Sequence, residues 1–174
     1  MTNKYSRLKS EQGFTMVEIL LYMGIFSMLL VVLFQLFSAI LSAHAESQAT
    51  SSVNQDGSFI ISRLAYDIHN ASGITSPSVG ASCNWPTVSS CQLALSNGTY
   101  GITSLGNLTF TANGETYSLN GLNTKITDIT FTTLGNAALG SKPSVQIQFN
   151  LQSKIKRDAG VLQTQVFQTT VATR

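Results

Sequence analysis

Residues 13–18 read GFTMVE and lead directly into an apolar run, residues 19–41, that decides the fold. From residue 19 to residue 45 the chain contains no Asp, Glu, Lys or Arg, and the run contains no Pro. A run of this length exceeds the roughly 20 residues that a helix needs to cross a bilayer. The sequence therefore predicts a membrane-spanning helix near the start of the chain.

Glu18 is the anomaly in this region, because it places a carboxylate at the start of the apolar run. An ionisable group inside a membrane span costs free energy and is a functional-site hypothesis by default. The alternative is that Glu18 reaches the lipid–water interface of an ordinary single-pass anchor.

The charge of the chain is concentrated before the apolar run. Lys4, Arg7 and Lys9 against Glu11 give +2 in the first thirteen residues, and the remainder has 7 basic and 7 acidic residues. Positive charge before a span keeps that end in the cytoplasm, so the C-terminal part is expected to be translocated. The neutral remainder makes nucleic acid an unlikely partner.

The helical pattern continues beyond the apolar run as far as Gly73, with Pro77 just after it. We therefore predict one helix over residues 14–72, apolar all round in its first half and amphipathic in its second half. Arg63 and Asp67 are spaced to pair on the polar face. The predicted buried stripe consists of Val53, Ile60, Ile61, Leu64, Ile68 and Ala71.

After Pro77 the chain becomes rich in Thr, Gly and Asn, with alternating apolar residues. Asn113 and Gly114 separate two alternating segments, which predicts a β-hairpin. An apolar helix face and an apolar sheet face need each other, so the predicted fold class is α+β, with the long N-terminal helix packed on an antiparallel β-sheet head. The predicted strands are residues 92–96, 108–111, 116–119, 126–131, 145–151 and 161–171, and residues 73–91 and 135–143 are predicted loops.

Cys83 and Cys91 enclose seven residues downstream of the apolar run. If this part of the chain faces an oxidising compartment, the two cysteines are expected to form a disulfide that closes the small loop. Two free buried thiols are the alternative. A metal site is disfavoured, because two sulfurs lack two further ligands nearby.

The boundary at Gly13 resembles the type III signal of type IV prepilins and type II secretion pseudopilins. That signal has a short basic leader ending in Gly, then Phe, Thr, two apolar residues, Glu and a long apolar run, and this chain matches it in order. The resemblance is strongest over residues 7–45. It implies a leader at residues 1–13 that is removed on maturation, a transmembrane helix half at residues 14–42, and an extracytoplasmic pilin-like α+β head at residues 43–174.

The resemblance also implies how the protein is processed and where it goes. A prepilin peptidase would cut between Gly13 and Phe14 and methylate the new amino group of Phe14. The implied location is the inner membrane, as a single-pass protein with its N-terminus inside, and then a periplasmic or cell-surface filament. The implied partners are the peptidase, inner-membrane lipid and other pilin or pseudopilin subunits. In the filament, Glu18 would meet the Phe14 amine of the next subunit and fix the register of the helices.

Two features favour a minor subunit over the main fibre subunit. Major pilins usually have a Pro about twenty residues after the cut, and this Pro distorts the helix because a helix interior tolerates proline poorly. Residues 31–38 of this chain, which lie in that neighbourhood, contain no Pro. Residues 60–71 and 167–174 resemble the minor pilins and pseudopilins labelled J or W. The sequence does not distinguish a pilus from a type II secretion or competence system.

Two other functions stay open. The first is a binding module at a filament tip for DNA uptake or adhesion, for which Lys154, Lys156 and Arg157 would provide a local basic cluster. The second is a secreted β-rich protein with an ordinary signal peptide cut after Ala45, although the apolar stretch is longer than the 7–15 residues typical of such signals.

Enzyme activity is not predicted, because the sequence has no phosphate-binding Gly-rich loop and no nucleophile–base arrangement at plausible spacing. No cofactor is predicted. No metal is predicted either, because Asp128 and Asp158 are the only acidic residues in the C-terminal third.

Overall fold

The computed structural model describes residues 13–135, 142–156 and 160–174. The chain divides into two compact units, Met1–Leu41 and Ser42–Arg174. The leader residues 1–12, most of the predicted loop at 135–143, and Arg157 and Asp158 lie outside the described residues.

Within the described residues, the secondary structure consists of one helix followed by nine strands. They are α1 (Met16–Asn70), β1 (Ile74–Ser76), β2 (Ser82–Trp85), β3 (Gln92–Leu95), β4 (Gly98–Ile102), β5 (Leu108–Ala112), β6 (Glu115–Ser118), β7 (Thr124–Leu134), β8 (Ser144–Lys156) and β9 (Leu162–Ala172). The predicted α+β class, a long N-terminal helix with antiparallel β-structure, is confirmed.

Helix α1 begins and ends two residues inside the predicted range of 14–72. At its C-terminal end the Ala71 amide donates to the Ile68 carbonyl at 3.2 Å, and the Ser72 amide donates to Ser96 Oγ at 2.9 Å. These bonds satisfy backbone groups that the helix itself cannot pair. The predicted stripe is confirmed for Val53, Ile60, Leu64, Ile68 and Ala71, whereas Ile61 is only partly buried. The buried residues of α1 are Ala49, Val53, Gly57, Ile60, Leu64, Asp67 and Ile68.

The strands form two antiparallel sheets, where the sequence predicted one. Sheet A has the order β1-β3-β4-β5-β6 and sheet B the order β2-β7-β8-β9. Alternation of apolar and polar residues reports which face of a strand is buried, but it does not report which strand lies beside it. The partition into two sheets was therefore not visible in the pattern.

The hairpin between β5 and β6 is the one predicted from Asn113 and Gly114. Asn113 has φ 54° and Gly114 has φ 84°, and Ala112 pairs with Glu115 across the turn. Positive φ at both central residues is the requirement of a type I′ turn, which Asn-Gly meets at low cost.

Three strands were not predicted, namely β1, β2 and β4. Strand β4 contains Gly98 and Gly101, and glycine is depleted in strands. The structure gives a reason for Gly98, because a Cβ there would lie 2.5 Å from two ring carbons of Phe110. Strands β1 and β2 lie inside the predicted loop at 73–91 and are only three and four residues long.

Two acidic side chains fasten α1 to the strands of the head. The Asp56 carboxylate accepts a hydrogen bond from the Gly121 amide at 2.8 Å and another from the Thr124 hydroxyl, at the start of β7. Farther along the helix, the Asp67 carboxylate accepts a hydrogen bond from the Tyr100 hydroxyl in β4. Apolar side chains of α1 and of both sheets form the core of the head.

Candidate functional site

The segment around Gly13 precedes the helix and is accessible. Gly13 and Phe14 have no regular secondary structure, and both are exposed. A Cβ added at Gly13 would meet no atom within 4 Å. The fold of the described chain therefore does not require glycine at this position.

Thr15 caps the N-terminus of α1. Its hydroxyl oxygen accepts a hydrogen bond from the Glu18 amide at 3.3 Å, and its carbonyl accepts from the amides of Glu18 and Ile19 at 3.1 and 3.2 Å. A threonine with a free acceptor is among the preferred N-cap residues. The Phe-Thr pair thus places the start of the helix immediately after the Gly13–Phe14 bond.

Glu18 has a partner that sequence reasoning missed. The Tyr22 hydroxyl, one turn farther along α1, donates a hydrogen bond to Glu18 Oε1 at 3.3 Å. The signal that could have revealed it is the spacing of four residues, which brings two side chains together on a helix surface. Glu18 is half-buried beside this tyrosine, in a region without another charged residue before Glu46.

The first unit exposes its apolar side chains. Large apolar residues from Phe14 to Leu41 are between 48% and 85% exposed. Within the described residues, α1 is the one helix long and apolar enough to cross a membrane. An exposed apolar surface of this extent requires lipid or another apolar surface to cover it.

Cys83 and Cys91 form a disulfide, with a Cα–Cα distance of 5.5 Å. Cys83 lies in β2 of sheet B, whereas Cys91 immediately precedes β3 of sheet A, so the bridge connects the two sheets. Inside the closed loop, the Val88 amide donates to the Asn84 carbonyl at 2.8 Å. Closing a loop of this size stabilises the fold by about 2.5 kcal/mol in the chain-entropy model.

The predicted Arg63–Asp67 pair forms, but its position differs from the prediction. Arg63 Nε donates to Asp67 Oδ2 at 2.8 Å. Asp67 does not lie on the polar face of the helix, because it is 4% exposed and faces the buried Tyr100. The buried carboxylate is satisfied by a hydroxyl 33 residues away in sequence, which helical spacing could not reveal.

This cluster changes the acid–base properties of its members. Burial raises the pKa of Tyr100 well above its usual value, and the hydrogen bond and negative charge of Asp67 raise it further. Burial lowers the pKa of Arg63, but the attraction of Asp67 outweighs this effect and leaves the pKa raised. Both groups therefore keep their ordinary protonation states at neutral pH, as members of a structural network.

The two histidines and Asp128 take no part in the hydrogen bonds of the Arg63–Asp67–Tyr100 cluster. His44 and His69 are exposed on α1, and Asp128 accepts hydrogen bonds from the Asn84 side-chain amide at 3.3 and 3.5 Å. Among the described residues, no group of three or more His, Cys, Asp or Glu side chains is placed to hold a metal ion.

The comparison with known families concerns the N-terminal segment. Residues 8–34 match the prokaryotic N-terminal methylation motif. The chain therefore carries a type IV prepilin-like signal, and the match points to a structural protein of the pilin type rather than to an enzyme. The match and the apolar helix fit a pilin anchored in the inner membrane. Comparisons with curated proteins and with solved structures find no match.

Proposed function

We propose that this protein is a minor subunit of a type IV pilus or type II secretion pseudopilus, cleaved between Gly13 and Phe14 by prepilin peptidase and methylated at the Phe14 amine. The observation that carries the proposal is the match of residues 8–34 to the methylation motif. In this proposal the chain comprises a leader at residues 1–13, a transmembrane helix half at 14–42 and an extracytoplasmic head at 43–174.

The geometry at Gly13 supports the cleavage site. Because the described residues leave space for a side chain at Gly13, a requirement for glycine there would be imposed from outside, by an enzyme that must hold the backbone closely. The bond is exposed and precedes the Thr15 cap. A peptidase can therefore bind this bond without unwinding α1.

The chemistry of Glu18 supports a role in assembly. Cleavage creates a cationic amine at Phe14, and an unpaired charge of either sign is costly in an apolar environment. In a filament, the Glu18 carboxylate would leave Tyr22 and pair with the Phe14 amine of the neighbouring subunit. Such a pair adds little net affinity but penalises the wrong register, because misplaced helices leave both charges unpaired.

The assignment to a minor subunit rests on the sequence of the helix. Residues 31–38 lack the proline that is usual in major pilins, and α1 continues through them as regular helix. The single-pass topology with the N-terminus inside follows from the basic residues before the apolar run.

N-terminal sequencing and mass spectrometry of the mature protein, expressed with and without a prepilin peptidase, test the processing. We expect a start at methylated Phe14 only when the peptidase is present. Gly13→Leu is expected to abolish cleavage, whereas Gly24→Leu, a matched control whose Cβ also meets no atom within 4 Å, is expected to be cleaved. A start at Glu46 would instead establish an ordinary signal peptide.

Glu18→Ala tests the role in assembly separately. We expect normal cleavage but loss of the subunit from filaments that are sheared from the cell surface or isolated from the envelope. Glu46→Ala, which removes the next acidic residue along the chain, serves as the control and is expected to be incorporated. Normal incorporation of Glu18→Ala would contradict the pairing of Glu18 with the Phe14 amine.

A further inference from the structure

The four edge strands of the two sheets are protected to very different degrees. Strand β1 has three residues and is followed by Pro77, and β2 has four and is followed by Pro86. Strand β6 has four residues and contains Glu115. Short length, proline and charge are the usual means by which proteins prevent an edge strand from pairing with another chain.

Strand β9 has none of these protections. It is 11 residues long and contains no charged residue, Pro or Gly. In the part of the chain that the structure describes, it pairs with β8 on one side and with no strand on the other. Alternate N–H and C=O groups of such a strand point away from the sheet, where another extended strand can bind them.

The partial burial of β9 side chains also shows that this edge of the sheet is incompletely covered. The β8 residues Ile147 and Phe149 are fully buried, whereas their partners in β9, Thr169 and Phe167, are only half-buried. The Phe167 ring stacks on Phe149 with 5.3 Å between the ring centroids. A further strand beside β9 would cover this row and extend the sheet.

The occupant that the chain itself offers is a second copy of β9. Among the described edge strands, only β9 is long and uncharged, so only β9 can provide an equally unprotected complement. Strand β9 has its midpoint at Phe167, and antiparallel pairing about that residue places Val166 opposite Gln168 of the second copy and Thr164 opposite Thr170. No charges oppose one another, and the contact is self-complementary, as a two-fold interface requires.

We propose that two copies of this protein associate through antiparallel pairing of their β9 strands, which joins the two four-stranded sheets into one of eight strands. The proposal is independent of the proposed filament function, because it rests on the head alone. The Phe14–Glu18 segment takes no part in it.

Charge placement on β9 tests the pairing. In Val166→Lys/Gln168→Lys, lysines directly oppose lysines at both symmetry-related positions, and we expect self-association of the full chain in detergent micelles to weaken about tenfold or more. In Val166→Lys/Gln168→Glu, each lysine opposes a glutamate, and association is expected to return. The control is Gln146→Lys/Gln148→Lys, which adds the same charges to the same face one strand inward and is expected to associate like the unmodified protein.

Analytical ultracentrifugation measures association, and circular dichroism confirms that each variant is folded. The proposal is overturned if the unmodified chain is monomeric, if the double-lysine variant associates normally, if the lysine–glutamate variant is not restored, or if the β8 control also dissociates. Association through α1 alone would leave the double-lysine variant, the lysine–glutamate variant and the β8 control all at the level of the unmodified protein, and that pattern is the one that overturns β9 pairing.

Disulfide cross-linking gives a readout specific to the strand. Two variants, Val166→Cys and Gln168→Cys, carry different tags and are combined. We expect them to form a mixed cross-linked dimer. In the control, Val166→Cys is combined with Gln148→Cys, and no mixed dimer is expected. If Val166→Cys instead cross-links in cells only to a different protein, the second copy is excluded and the edge belongs to another subunit.

Discussion

Helix α1 passes through two regions whose stability has different origins. In the first unit its large apolar side chains are exposed, and its described polar contacts are local, as between Tyr22 and Glu18. In the second unit the same helix buries Ile60, Leu64 and Ile68 against strands from both sheets. The head therefore supplies its own partners, whereas the N-terminal region depends on partners from outside the chain.

The largest expected effect on stability tests this contrast by replacing one leucine in each region with alanine. Leu64→Ala leaves a cavity in the core and is expected to lower the free energy of unfolding of the head by about 2–5 kcal/mol. Leu33→Ala, at a position that is 51% exposed, is expected to leave it nearly unchanged. Urea unfolding in detergent micelles, followed by fluorescence of Trp85 in β2, measures both. Equal effects would show that the two regions are not energetically distinct.

The disulfide belongs to the head alone. Cys83→Ala/Cys91→Ala is expected to lower the free energy of unfolding by about 2.5 kcal/mol, because the unfolded chain regains the entropy of the open loop. Urea unfolding followed by circular dichroism measures this loss. A reductant should destabilise the unmodified protein by a similar amount and leave the variant unaffected, and an effect of reductant on the variant would argue against the bridge as the cause.

Two glycines of α1 provide a matched comparison. A Cβ at Gly57 would overlap the Phe167 ring, so Gly57→Ala is expected to destabilise the head by about 1–3 kcal/mol. A Cβ at Gly24 would meet no atom within 4 Å. Gly24→Ala is therefore expected to stabilise the helix by up to about 1 kcal/mol, because alanine has the higher helix propensity. Thermal unfolding by circular dichroism measures both changes. Adding Phe167→Leu should relieve part of the Gly57→Ala defect, and a failure to do so would place its cause elsewhere.

The smallest effect is expected from Tyr100 and only at alkaline pH. Its pKa is raised on folding, so the folded protein holds the phenolic proton more tightly than the unfolded chain does. The stabilisation is therefore complete below about pH 10 and is lost above it at about 1.4 kcal/mol per pH unit. Tyr100→Phe should remove this part of the pH dependence. Parallel stability curves for the two proteins between pH 9 and pH 11 would contradict the assignment.

The parts of the fold that the sequence predicted are those controlled by local chemistry. The apolar run, the buried stripe of α1 and the turn at Asn113 and Gly114 depend on neighbours within a few residues. The division into two sheets depends on strand partners far apart in sequence, and so does the burial of Asp67 against Tyr100. The Tyr22 contact with Glu18 was within reach of sequence reasoning, because it needs only helical spacing.

The attachment of α1 by Asp56 and Asp67 has a mechanical consequence. The two residues lie about three turns apart on the same helix, and each is bonded to a different part of the head, Gly121 and Thr124 in one case and Tyr100 in the other. A pull along the helix axis is therefore expected to load both attachments as well as the packed core. We therefore expect the head to stay attached to α1 when force is applied to the helix.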